Sequence, residues 1–234
     1  MKISRIDDAI RTLKRIPIHR DNFEHLKNAH KGETCLVIGN GPSLANVPNS
    51  FLEKYTSFGS NGIFLKFIPT YYACMDSQDI RRLREDIIKL PCVKFTEESA
   101  KIPGCYEIRQ FASHGEFSYT PSKALWGGYT VTFTILQICY FMGFSTILLV
   151  GVDHRYIIKQ NQYDVLSLGD NEDDPDHFCP EYHRGAHFNN PNTHLTVHSY
   201  ELARAAYQQD GRKIINLTEN SALDVFPKGT IAEW

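Results

Sequence analysis

The chain has 234 residues, 42% hydrophobic and 22% charged, with a formal charge of −2. That length suits one α/β domain with an appendage, and the near-neutral balance gives no global pull toward nucleic acid or anionic lipid. Cys35, Cys74, Cys92, Cys105, Cys139 and Cys179 are scattered without C-x-x-C spacing, which fits free thiols in a reducing compartment better than a disulfide framework.

The opening Met-Lys-Ile-Ser-Arg-Ile-Asp-Asp lacks the continuous apolar core of a signal peptide. Ile3, Ile6, Ile10 and Leu13 recur at spacings of three and four, so one amphipathic helix is expected, followed by a linker at Pro17 and a second short helix near Asp21–Asn28. Residues 1–31 are therefore read as a helical extension and 32–234 as the main domain.

Five apolar runs follow, and each ends on a small polar residue: Thr34–Asn40, Thr56–Asn61, Tyr71–Asp76, Ile147–Asp153 and Lys213–Asn216. Short β-branched runs separated by helical stretches predict a Rossmann-like, mostly parallel sheet flanked by helices. Ligands of such sheets bind beyond the carboxyl ends of the strands, so Asn40, Asn61, Asp76, Asp153 and Asn216 are expected along one edge. Helices are expected from Ser43, over Ser77–Lys89 with Ser77 as N-cap, from Gly128 to Phe144, and over Thr193–Gln209. Val93–Thr96 and Tyr106–Phe111 are further candidate strands. The stretch Val131–Phe144 is the longest apolar one, but Thr132, Thr134 and Gln137 interrupt it, and it is too short to span a bilayer. A cytoplasmic protein without a transmembrane segment is expected.

Two glycine turns stand at helix starts. Gly39-Asn40-Gly41-Pro42-Ser43 follows the first strand, where glycines permit close approach of a ligand and the freed amides favour a phosphate. There is no Gly-Lys-Ser/Thr ending, and Leu44 takes the place of a third glycine, so neither a Walker A loop nor a standard dinucleotide fingerprint is present. Gly127-Gly128-Tyr129-Thr130 is a second candidate anion nest, although Thr130 could simply cap the helix.

After Asp153 and His154 the chain runs to Asn192 with little apolar periodicity, a length that suggests a lid-like loop. It carries Tyr156, Tyr163, His177, His183 and His187. A histidine here could take a proton from an attacking hydroxyl and a tyrosine could stabilise a leaving phosphate. His183-x-x-x-His187 would face one way on a helix and bind zinc, but Gly185 and the nearby prolines oppose a helix and no cysteine pair completes the set. The acidic run 170–176 reads as a solvated loop.

Leu36-Val-Ile-Gly-Asn-Gly-Pro-Ser-Leu44, Gly127-Gly-Tyr-Thr130, Gly151-Val-Asp153 and His187-Phe-Asn-Asn-Pro-Asn192 resemble, in the same order, motifs of two related groups. One comprises the bacterial CMP-sialic-acid sialyltransferases with the Maf-type flagellin glycosyltransferases. The other is similar to archaeal 6-hydroxymethylpterin diphosphokinase (the MptE-like domain). The resemblance runs from about Gly32 to Pro227. It implies a nucleotide-dependent transferase moving a sialic-acid-like sugar from a CMP-linked donor to a glycan hydroxyl, with no cofactor. By resemblance Asn40, Gly41 and Asn61 would meet the nucleotide and Gly128 to Thr130 the donor phosphate or carboxylate. Tyr156 and Tyr163 would assist phosphate departure, and His187 would be the base. His154 replaces the aromatic residue usual after the aspartate, and Asp176-His-Phe-Cys-Pro-Glu-Tyr182 is closer to the MptE-like group. The alternatives are a diphosphokinase using ATP and Mg²⁺, with Asp76 and Asp153 as available ligands, and a non-catalytic nucleotide-binding module. A small-molecule or glycan acceptor is implied, no nucleic acid, and self-association is left open.

Overall fold

The computed structural model describes residues 23–111, 115–158 and 165–234. The expected helix through Ile3, Ile6, Ile10 and Leu13, the linker at Pro17 and the side chain of Tyr163 lie outside the described residues. Of the second short helix, Phe23–Leu26 forms a 3-10 turn. Phe23 is buried edge-on against Phe95 and Phe141 at 5.1 and 5.8 Å between ring centroids. Asn28, His30 and Gly32 donate backbone hydrogen bonds to Phe141, Met142 and Gly143, so this segment is stitched to the main core.

Seven strands form a parallel sheet, β1 (Thr34–Ile38), β2 (Thr56–Ser60), β3 (Tyr71–Cys74), β4 (Val93–Glu97), β5 (Tyr106–Ile108), β8 (Thr146–Val150) and β11 (Lys213–Asn216), in the order β11-β8-β1-β2-β3-β4-β5. The fold is Rossmann-like. Because both faces are covered, the central strands β1 and β8 run continuously apolar over Cys35–Ile38 and Ile147–Val150 instead of alternating. Cys35 and Val37 enter one core, with α3 (Val131–Phe141) and α4 (Thr193–Gln209). Leu36 and Ile38 enter the other, with α1 (Asn49–Leu52) and α2 (Ser77–Lys89). No helix among the described residues is long and apolar enough to cross a membrane.

The polar residues that interrupt α3 have structural partners. The Gln137 amide donates to the Trp126 and Phe133 carbonyls at 2.8 and 3.2 Å and accepts from Ser118 N at 2.9 Å, which pins the short strand β7 (Leu125–Trp126) to the helix. β7 pairs in parallel with β6 (Gln110–Phe111), so the single strand expected over Tyr106–Phe111 breaks at Arg109. The helix expected from Ser43 is only a 3-10 turn, Pro42–Asn46. The N-cap of α2 is Asp76, whose carboxylate accepts from the amides of Gln78 and Asp79, and not Ser77; the shorter hydroxyl is out-competed by a charged acceptor one residue earlier.

Candidate functional site

The chain proceeds outward from β1 to β5, then returns to lay β8 on the other side of β1. That reversal opens a crevice at the carboxyl ends of β1 and β8, the place where open α/β sheets bind ligands. Here lies a cavity of about 740 Å³, within the usual range for small-molecule sites. Gly39, Asn40 and Gly41 line it from β1, Ser60 and Asn61 from β2, Asp76 from β3, and Asp153, His154 and Tyr156 from β8. Tyr129 and Thr130 line it at the start of α3, and Asn192 at the start of α4. Pro42, Ser43, Gly128 and His187 do not, and Asn216 is buried away from it, donating to Ser221 and Leu223.

The first glycine turn has most of its amides taken by the protein. Gly39 N donates to Val150 O and Gly41 N to Gly151 O, both at 2.8 Å. Ser43 donates to Asp153 through its amide at 3.2 Å and its hydroxyl at 2.8 Å. A Cβ on Gly41 would stand 2.0 Å from Asp153 Oδ2, and one on Gly39 2.4 Å from Gly151 O. These glycines are required because the β1 and β8 ends touch each other. Of the donors expected of an anion nest at Gly39–Ser43, the amides of Gly39, Gly41 and Ser43 are spent on the end of β8 and the residues after it, and a five-residue 3-10 turn supplies little dipole.

What this turn does present is Asn40. Its amide nitrogen donates to Ser60 O at 3.1 Å, which fixes Oδ1 as the atom facing elsewhere. Asn40 Oδ1 and Asn61 Oδ1 are both buried with no protein donor. Each buried acceptor left unpaired costs about 1–3 kcal/mol, so two at adjacent strand ends mark a place built for a ligand's N–H or O–H groups. Asn61 (φ 49°), Tyr129 (φ 61°) and His154 (φ 52°) hold left-handed backbone on the cavity wall, and such strain concentrates at functional sites.

Electrostatically the cavity is unusual for a phosphate binder. Asp76, Asp79, Glu97, Asp153 and Asp176 line it, against Arg155 and no lysine among the described residues. Positive potential comes from helix ends. α3, eleven residues long, opens at Thr130, and α4, seventeen residues long, opens at Asn192. Both are capped by neutral side chains, whereas the α2 end is capped by the Asp76 carboxylate. Desolvation holds the His154 imidazole below its ordinary pKa. Burial, together with Tyr200, Asp176 and Asp153, holds the Tyr156 phenol above its own. At neutral pH the two are therefore a free base and a proton donor facing one cavity. Asp76 and Asp153, the pair available to Mg²⁺, are already occupied: Asp76 accepts from two α2 amides and from Asn189 Nδ2, and Asp153 from Ser43 twice.

The loop after Asp153 forms a wall. Phe178 N donates to Asn40 O at 3.0 Å and Gly62 N to Tyr182 Oη at 2.9 Å. Asp170, Glu172 and Asp173 are exposed, as a solvated acidic run would be, but Asp174 and Asp176 are only 3% and 7% exposed, which corrects that reading for these two. Asp176 accepts from the amides of Ile157 and Ile158, and Asp174 lies against both His177 and His183. His187 stands on β10 (His187–Asn189), which pairs antiparallel with β9 (Val165–Ser167), and its ring is exposed. His183 is buried, so these two histidines do not form a pair. Asp79, His177 and His183 join the cavity unanticipated; the signal was the spacing of Asp174, His177 and His183, obscured by reading the acidic run as surface.

Residues 8–159 match the model of the 6-hydroxymethylpterin diphosphokinase MptE-like family. The chain belongs to that family. No curated protein matches this MptE-like chain. Among solved structures it is similar to the MAf glycosyltransferase from Magnetospirillum magneticum AMB-1, with 12% identity and a TM-score of 0.58 over 99% of this chain. The MptE-like chain spans 39% of that glycosyltransferase's length, and the likeness is one of fold. The terminal R domain of the myxalamid biosynthetic pathway aligns at 10% identity and a TM-score of 0.26, over 91% of this chain and 55% of its own, too remote to inform the argument.

Proposed function

We propose that this MptE-like protein is a transferase that takes its group from a CMP-linked acidic sugar and passes it to a glycan or small-molecule hydroxyl. The observation that carries this reading is the pair of unpaired buried acceptors, Asn40 Oδ1 and Asn61 Oδ1, beside a cavity whose lining holds one arginine and no lysine among the described residues. Two adjacent ribose hydroxyls satisfy both acceptors. One phosphate diester is the anion that two helix ends can hold without lysines. His154, kept neutral, removes the proton from the acceptor hydroxyl as its oxygen bonds to the sugar carbon. Tyr156 donates to the phosphate oxygen that leaves with the electrons of the broken C–O bond. Tyr163 is proposed as the second phosphate-assisting tyrosine. His187, the base implied by resemblance, lies off the cavity wall, so His154 takes that role in this reading.

The family match favours a second reading, diphosphate transfer from ATP to a pterin-like alcohol. A triphosphate brings more charge than the lining can balance, so that reaction would be strictly Mg²⁺-dependent. Thermal shifts with CMP, CDP, UDP, GDP and ATP, with and without Mg²⁺, separate the two. A ligand at about a hundred times its Kd adds roughly 2.7 kcal/mol. CMP stabilisation that survives EDTA supports glycosyl transfer. Stabilisation by ATP with Mg²⁺ and none by CMP overturns it.

A further inference from the structure

We propose that Asp174, His177 and His183 form a binding site for one divalent transition-metal ion of the zinc class, in the wall of the cleft. One potential ligand atom from each lies within 4.8 Å of the others. Asp174 Oδ2 is 2.8 Å from His177 Nδ1 and 2.9 Å from His183 Nδ1. The His177 contact is close but is not matched by a well-formed hydrogen bond: Nδ1 is buried and without a hydrogen-bond partner. A nitrogen and an oxygen that come so close without a well-formed hydrogen bond are arranged like neighbouring ligands around a shared cation.

The surroundings hold that arrangement rigidly. The two imidazoles stand perpendicular, 89° apart with centroids at 4.6 Å. His177 is stacked on Tyr182 at 4.1 Å and His183 on Phe188 at 4.4 Å, so neither ring turns freely. Asp79 Oδ1 stands 3.8 Å from His183 Nε2, itself buried and unpaired. With Nδ1 on a metal, Nε2 carries the hydrogen and Asp79 becomes the outer carboxylate that commonly orients a metal-bound histidine. The charge count agrees. Asp79 and Asp174 bring two negative charges, Arg82 returns one through Asp79, and burying the remainder unbalanced would be expensive. The alternative occupant is a proton shared among the rings. Two imidazoles and one carboxylate select zinc, cobalt or nickel over Mg²⁺ or Ca²⁺. Because His177 and His183 face the cavity, open coordination positions would be presented to a bound oxygen ligand.

The test uses the full chain without nucleotide, so that its outcome is independent of the transferase reading. After dialysis against EDTA, Co²⁺ is titrated in and its visible d–d absorption followed, then Zn²⁺ is added as competitor, with bound metal counted by mass spectrometry. One equivalent of Co²⁺, displaced by Zn²⁺, is expected. His177→Gln should weaken binding at least about tenfold while the circular dichroism of the metal-free protein stays the same, and His187→Gln should bind as wild type. No bound equivalent, or binding indifferent to His177→Gln, overturns the site and leaves the cluster with a proton only.

Discussion

Two glycine turns stand at the same edge of the sheet and look equivalent in sequence, yet they do different work. At Gly39–Ser43 the amides of Gly39, Gly41 and Ser43 donate to Val150, Gly151 and Asp153, and the turn serves to clamp the ends of β1 and β8 together. At Gly127–Thr130 the amides of Gly127 and Thr130 are also taken, by the Phe111 and Gly127 carbonyls, but the turn opens a helix of eleven residues whose first turn faces the cavity. The same short motif is a packing device in one place and a candidate anion site in the other. What decides is a partner 110 residues away, Asp153 on Ser43, which no local pattern reveals.

The comparison breaks most readily at Gly41. Gly41→Ala places a methyl carbon 2.0 Å from the Asp153 carboxylate, and the chain must give up the Ser43–Asp153 pair or spread β1 from β8. A loss of about 2–4 kcal/mol is expected in urea unfolding; a change under about 0.5 kcal/mol would show that the two strand ends are not tightly apposed. Asp153→Asn should cost about 1–3 kcal/mol, because an acceptor that bonds Ser43 twice is weakened. If Asp153 served only a ligand, that variant would unfold like wild type.

Two milder variants sharpen the contrast. Thr130→Val removes the hydroxyl that caps Thr132 N at 3.3 Å and should cost about 1 kcal/mol. It should also weaken CMP binding, measured by calorimetry, if the phosphate rests at this helix end. Ser43→Ala should cost about 0.5–1.5 kcal/mol and leave CMP affinity unchanged. The reverse pattern would move the phosphate to the first turn.

Much of the fold could be read from the chain. The five runs ending at Asn40, Asn61, Asp76, Asp153 and Asn216 are indeed parallel neighbours in one sheet, because strands buried on both faces must be continuously apolar and so announce themselves. The cavity wall from Asp174 to Asn192 was far less legible. Its order comes from long-range bonds, Phe178 N to Asn40 O and Gly62 N to Tyr182 Oη, and from acids held by backbone amides or set against histidines, Asp176 by Ile157 and Ile158 and Asp174 by His177 and His183. Composition alone could not distinguish such acids from solvated ones. At His183–His187 the sequence already opposes a helix, and the structure agrees: with Gly185 at φ 66° between them there is no helix, and one ring turns inward while the other stays in water.

The smallest expected effect concerns His154, and it separates a residue poised in the cavity from one merely near it. Desolvation lowers its folded-state pKa below the ordinary value of about 6.5. As pH falls past that value the unfolded chain takes up a proton at this position before the folded chain does. Stability present above about pH 6.5 is thus lost progressively until the folded-state pKa is reached. His154→Gln cannot titrate, so the difference in unfolding free energy between it and wild type should shift in the variant's favour as pH falls below about 6.5, and should be nearly flat well above that pH. A difference that does not change with pH would mean that His154 is solvated and ordinary. The case for a neutral base beside Tyr156 in the cavity wall would then fail, while the β1–β8 clamp, which owes nothing to this ring, would stand.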